Sequence, residues 1–356
     1  MRTFILGVAL LTLTFLNGCG QPPRQMTAED FQILRTYGFD ATVAKPQATW
    51  NPETYQLLVR SSGGFALLDE GAGLQQYFAT QAKHETADPT WISRRQFAFG
   101  PKDNVIFTID GRVVPTSEGL SVVNLVESIT GKNAPYPPKS LTTYGYRPRV
   151  WGETLVATSE DRIFQVNSFG DIAEFGRGFM PEPQRNGEGM TWQERPVFET
   201  DHWTGSDMRR GNLIIRWCKG TTTTLANGVE ARWTAEGGVL YTVMRGEPIP
   251  GQPWWSGGTD IYFIANAKAV PVLVAVDARS GAPHPKDPVC AAVGRSGALI
   301  VCGYDGAFRH QIKERGDFPE WSYDGRRLVA EEPGADGQND KRWLQVYVFK
   351  AISLRR

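Results

Sequence analysis

The densest set of side chains able to do chemistry is the run ETDHWTGSD at residues 199–207, which holds Glu199, Asp201, His202 and Asp207 around Trp203. Clustered carboxylates suit a hard cation such as Ca²⁺, and a histidine beside a carboxylate can serve as a base. The spacing matches no specific cation loop, and the same residue types make solvated turns in which Asp bonds its own backbone. The second set is Trp254 and Trp255, in EPIPGQPWW at residues 247–255. Two indoles beside prolines offer flat apolar faces to a sugar ring or a proline-rich peptide. The blander alternative is that Trp255 fills core.

No G-x-S-x-G elbow, H-E-x-x-H helix, phosphate-binding Gly-Lys loop or C-x-x-C pair occurs, and the four histidines, His84, His202, His284 and His310, are scattered. These absences argue against most hydrolase and metalloenzyme classes. No catalytic residue, metal or cofactor is assigned. Carboxylates gathered from separate elements stay open as a catalytic arrangement, of the kind glycan hydrolysis uses. Basic and acidic residues balance at 38 each, so no charged stripe points to nucleic acid.

Besides Cys19 the chain holds Cys218, Cys290 and Cys302. The segment CAAVGRSGALIVC, residues 290–302, reads as a hairpin. If its loop is Arg295-Ser296-Gly297, Gly294 faces Ala298 and Cys290 lies opposite Cys302, where a disulfide would form in an oxidising compartment. A two-residue loop would offset the pair and forbid the bridge.

These residues need a scaffold, and the best evidence for one is PEWSYDGRRLVAEE at residues 319–332. Pro319 suits a strand start, Trp321 a wedge between sheets, Asp324-Gly325 a tight turn, and Leu328-Val329-Ala330 a second strand. The seven-residue offset from Trp321 to Leu328 returns from Trp50 to Leu57, Trp91 to Ala98, Trp233 to Leu240 and Trp255 to Tyr262. A second phrase alternates with it, an apolar run ending in an acid or amide before a Gly turn, as in VESITG (126–131) and VDARSG (276–281). The repeat resembles the TolB-like, WD40-like propeller motif P-x-W-S-x-D-G-x-x-[LI]. Residues 319–330 match it closely, and PWWSGGTDIYF from Pro253 comes second.

The resemblance implies an all-β propeller of four-stranded blades. Anchors at Trp50, Trp91, Val150, Phe198, Trp233, Cys290 and Trp321 favour seven blades slightly over the six that the TolB-like motif suggests. The 38 Gly and 23 Pro spread along 356 residues agree with many short strands. Phe31, Leu34 and Tyr37 after Thr27 predict a short helix in a lead-in over 27–48, with the propeller at 49–356. Two inserts, 175–210 and 246–260, interrupt the rhythm near the turn after an anchor strand, and the partner site is expected on the face that carries both.

Met1-Arg2 and an uncharged run to Phe15 end in Leu16-Asn17-Gly18-Cys19. This looks like a bacterial lipobox, which implies a signal peptide at 1–18, lipidation (palmitate) at Cys19 and a tether over 19–26. Gly20 follows Cys19 where Asp would favour the inner membrane, so the resemblance implies the outer membrane, facing the periplasm. The expected function is a membrane-anchored binding or scaffold module for an envelope protein or glycan. The rival is a carboxylate-dependent glycan hydrolase or lyase at the channel mouth.

Overall fold

The computed structural model describes residues 30–40, 47–61, 64–69, 73–80, 89–99, 106–109, 112–115, 120–127, 133–135, 139–142, 146–159 and 162–333, the last without 168, 186, 195–210, 250–251 and 253, and finally 343–351. No α-helix occurs among these residues. The strands form seven antiparallel sheets, most of them four-stranded. Their innermost strands are Gln47–Trp50, Thr90–Ser93, Tyr146–Trp151, Phe179–Pro183, Gly228–Trp233, Ala278–Pro283 and Asp317–Trp321. Each innermost strand neighbours the next, and Asp317–Trp321 neighbours Gln47–Trp50, so the sheets close into a ring around a channel.

The predicted N-terminal helix is instead a strand. Phe31–Asp40 pairs along nine positions with Trp343–Ala351, the third strand of the last sheet, so residues from both ends of the chain build one sheet. The helical spacing of Phe31, Leu34 and Tyr37 is a weak local preference. An unpaired sheet edge offers a whole row of backbone partners, and that outweighs it.

There is no single central core. Seven clusters of buried side chains sit one in each wedge between neighbouring sheets, because a sheet buries both faces when it stands between two others. The anchor tryptophans fill these wedges in a repeated way. The indole N–H of Trp50 donates to Glu320 O at 3.1 Å, that of Trp91 to Thr49 O at 3.1 Å, that of Trp233 to Glu182 O at 2.9 Å and that of Trp321 to Ala282 O at 3.1 Å. In each case the acceptor is on the innermost strand of the preceding sheet, one residue before that strand's own anchor position.

Two anchors and one copy of the repeat differ from the sequence reading. Cys290 lies on the second strand of its sheet, Val289–Gly294, paired with Pro283 of the innermost strand. Phe198 lies outside the described residues, and the innermost strand of that sheet, Phe179–Pro183, falls within the stretch 175–210 that reads as an insert. Trp255 lies on a 3-10 turn, Trp254–Gly257, ahead of the third strand Thr259–Ile264, so PWWSGGTDIYF is not an inner hairpin. The hairpin at 290–302 has the register a three-residue loop requires: Cys290 faces Cys302, and Gly294 N–H donates to Ala298 O at 2.8 Å. Both thiols are free and buried in the wedge toward Leu240 and Ile261.

The turns after the anchors are tied across sheets by interchangeable side chains. Asn51 Oδ1 accepts from the amides of Glu53 and Thr54, and its Nδ2 donates to Arg94 O in the next sheet at 2.8 Å. His284 does the same: Nδ1 accepts from the amides of Lys286 and Asp287, and Nε2 donates to Gly325 O at 3.1 Å. Gly325 has φ 75°, and a Cβ there would collide with the His284 ring, so this turn needs glycine. Burial lowers the His284 pKa from its ordinary 6.5, against the opposing bond to Gly325 and the charge of Asp287.

Two predictions follow from this packing. Trp321 is 7% exposed, edge-on to His284 and close to Phe31. Trp321→Ala should therefore lower stability by about 3–5 kcal/mol, and Trp321→Phe, which loses chiefly the indole bond, by about 1–2 kcal/mol. Equal melting temperatures for wild type and Trp321→Ala would refute the wedge role. For His284 the folded ring resists protonation more than the unfolded one, so the wild type loses stability as pH falls below 6.5. His284→Asn keeps both kinds of bond but cannot titrate. Its deficit in melting temperature should shrink between about pH 8 and about pH 5, and a constant deficit would refute the assignment.

Candidate functional site

The innermost strands position the site. Counting from each anchor, the preceding residues form a ring around the channel: Thr49, Thr90, Arg149, Glu182, Arg232, Ala282 and Glu320. Strand alternation explains this, since an anchor pointing into a wedge leaves its neighbour pointing at the axis. Four of these strands also carry a bulge with a left-handed residue at the same place, Met180 (φ 49°), Glu230 (φ 49°), Ser280 (φ 53°) and Phe318 (φ 45°). Pro181 and Pro319 follow two of them, where a missing N–H costs little because the ladder is already interrupted.

Six of the seven ring residues, all but Ala282, line a cavity of about 200 Å³, which is bounded toward the inner-hairpin end by Pro52 and Arg185. Glu182 is held from both sides: Arg149 Nε donates to Oε2 at 3.0 Å and Arg232 Nη1 to Oε1 at 3.2 Å. Glu320 Oε1 accepts from Thr49 Oγ1 at 3.0 Å and from the Trp50 amide at 3.1 Å. Glu320 touches the cavity yet lies deep in the protein, and burial raises its pKa above the usual 4.5 against the opposing charge of Arg232. Arg185, on the turn after Phe179–Pro183, is exposed and makes no hydrogen bond or ion pair among the described residues. Although the residue as a whole is exposed, partial desolvation of its guanidinium at the cavity edge lowers its pKa from the usual 12.5, while Glu320 and Glu53 pull the other way.

Toward the other end of the innermost strands lies a second network. Arg279 Nη2 donates to Asp317 Oδ2 at 3.1 Å, and its guanidinium lies 4.0 Å from the centroid of the Trp255 ring. Glu230 accepts from the Ser280 amide at 2.9 Å, and burial raises its pKa above the usual 4.5 against the charge of Arg279. The Trp255 contact fastens the connection after Val239–Met244 to the innermost strand of the next sheet, and the other bonds tie neighbouring innermost strands together.

The predicted site residues fall mostly elsewhere. Glu199, Asp201, His202 and Asp207 lie outside the described residues, on the connection between Met190–Gln193 and Asn212–Arg216. Trp254 and Trp255 lie on the connection between Val239–Met244 and Thr259–Ile264. Both connections join the second to the third strand of their sheets, Met190–Gln193 to Asn212–Arg216 and Val239–Met244 to Thr259–Ile264, so neither follows an anchor strand. Sequence reasoning missed Arg149, Glu182, Arg185, Arg232 and Glu320. Arg149, Arg232 and Glu320 each stand one residue before a residue read as an anchor, and that offset was the available signal; Glu182 and Arg185 flank Pro183, which the sequence did not mark.

No family model matches the chain, and no curated protein matches it. Among solved structures it is similar to the RRP9 WD40 repeats, at 11% identity and TM-score 0.52, covering 91% of this chain and 98% of that one. It is also similar to the Neurospora crassa Pan2 WD40 domain, at 9% identity and TM-score 0.50, covering 93% and 98%. The tricorn protease matches at 10% identity and TM-score 0.51 over 83% of this chain and 33% of that one. The fold is a WD40-like β-propeller. Identities this low carry the fold alone.

The paired ring makes a direct prediction. Glu182→Gln leaves Arg149 and Arg232 facing each other without their shared anion. Stability should fall by about 1–3 kcal/mol, and added salt should recover part of the loss by screening the two cations. Urea unfolding at low and at high salt measures both, and a loss indifferent to salt would contradict the electrostatic account.

Proposed function

We propose that the protein is a binding propeller held at a bacterial envelope membrane through a lipidated Cys19, and that it takes a protein partner at the inner-hairpin mouth of its channel. The observation that carries the reading is the cavity of about 200 Å³, open among charged side chains at the end of a rigid closed ring. A preformed concave site with a few convergent polar groups is what a binding module needs. The hydrolase or lyase alternative has one point in its favour, the raised proton affinity of Glu320. Among the described residues the cavity has no free second carboxylate, since both oxygens of Glu182 are taken up by Arg149 and Arg232.

The address and the binding role are tested separately. Cys19→Ser should abolish palmitate labelling and shift the protein from the membrane to the soluble fraction; labelling that persists would remove the anchor from the proposal. Thr90→Trp fills the cavity from the ring position between Thr49 and Arg149. Cross-linking in intact envelopes should capture a partner with the wild type and lose it with Thr90→Trp, while the melting temperature is kept. Undiminished capture would place the partner on another face.

A further inference from the structure

The cavity has an unbalanced charge. Arg149, Arg185 and Arg232 face it together with Glu182 and Glu320. Two of the three guanidiniums are spent on Glu182, and Glu320 is engaged by Thr49 and Trp50. Arg185 alone brings a fork of donors to the mouth with no hydrogen bond or ion pair among the described residues, feeling Glu320 and Glu53 only as charges at longer range, and a guanidinium is suited to a carboxylate because two parallel N–H bonds match its two oxygens.

The shape narrows the ligand further. A volume of about 200 Å³ corresponds to roughly six or seven water molecules, enough for one acidic group on a slender carrier and well short of a drug-sized pocket. Sugar rings are usually held against an open aromatic face. Trp50 and Trp91, the indoles that line this cavity, are only 6% and 5% exposed, with their N–H groups bonded to Glu320 O and Thr49 O. Among the described residues no open stacking platform faces the space, whereas Thr49 and Thr90 bring short polar side chains to it.

Resting on the reading of the channel mouth as the partner site, we infer that it receives a carboxylate carried on an extended peptide segment, held by Arg185 at the entrance and by the field of the Arg149 and Arg232 pair within. Arg149 and Arg232 are kept in place by Glu182, so the site is organised before the ligand arrives. A chain-terminal carboxylate and an Asp or Glu side chain share this chemistry.

Calorimetric titration of the soluble Cys19→Ser protein separates the sources. The probes are trialanine with a free C-terminus, trialanine amide, and the capped tripeptides acetyl-Ala-Glu-Ala-amide and acetyl-Ala-Gln-Ala-amide, with trigalacturonate as the glycan arm. Binding of trialanine but not its amide identifies a chain terminus, and binding of the Glu but not the Gln peptide identifies a side chain; either supports the inference. Arg185→Gln should weaken the binding acid by about tenfold or more and Arg185→Lys by less, both with wild-type melting temperatures. If no acidic peptide binds, if the amides bind equally, if trigalacturonate binds in preference, or if Arg185→Gln binds like the wild type, the inference is overturned. Should Thr90→Trp abolish partner capture while Arg185→Gln does not, the carboxylate assignment falls and the docking site stands.

Discussion

A bond from an indole N–H to the backbone of the preceding sheet is the interaction on which the ring depends. Trp50, Trp91, Trp233 and Trp321 each place a large apolar ring in a wedge and at the same time satisfy a carbonyl of the neighbouring innermost strand. The ring supplies apolar area without direction; the bond supplies direction with little net energy. Together they fix how far one sheet sits from the next and at which point along the strand. The bond from Trp50 to Glu320 O spans 270 residues and joins the first sheet to the last.

Because apolar burial is confined to wedges, the axis is left free to carry charge. A single-core domain could not place Arg149, Glu182, Arg232 and Glu320 near its centre without a large desolvation penalty. Here water reaches them through the cavity, and the two guanidiniums share one carboxylate. Each ring residue is also one backbone step from a locked anchor, so its position is inherited from the packing. The same carbonyls of Glu182 and Glu320 that accept indole bonds belong to the residues whose carboxylates face the cavity. Wedge and channel are thus coupled through single residues.

The two ends of the channel differ for a physical reason. At one end Trp255, from the long connection between Val239–Met244 and Thr259–Ile264, lies over Arg279, which is paired with Asp317. At the other, short inner-hairpin turns tied by Asn51 and His284 leave the mouth open, with Arg185 at its edge. A long connection is able to fold back over the axis; a tight turn has no residues to spare. The open mouth therefore lies on the face of the short turns.

Much of this was legible in the sequence. A tryptophan seven residues ahead of a position in an apolar strand is a local pattern, so Trp50, Trp91, Trp233 and Trp321 announce innermost strands, and the loop Arg295-Ser296-Gly297 sets Cys290 against Cys302 by counting alone. Hairpins are local, and period-two alternation carries their register. What the tertiary structure decided is non-local. Phe31–Asp40 is a strand because Trp343–Ala351 offers it an edge, a pairing over about three hundred residues that helical spacing cannot reveal. Phe179–Pro183 is an innermost strand although no tryptophan marks it. Trp255 copies the repeat by offset but belongs to a connection. The charged ring draws one residue from each of several sheets, and no short window of sequence holds two of its members together, because ring closure brings them to one axis and chain order does not.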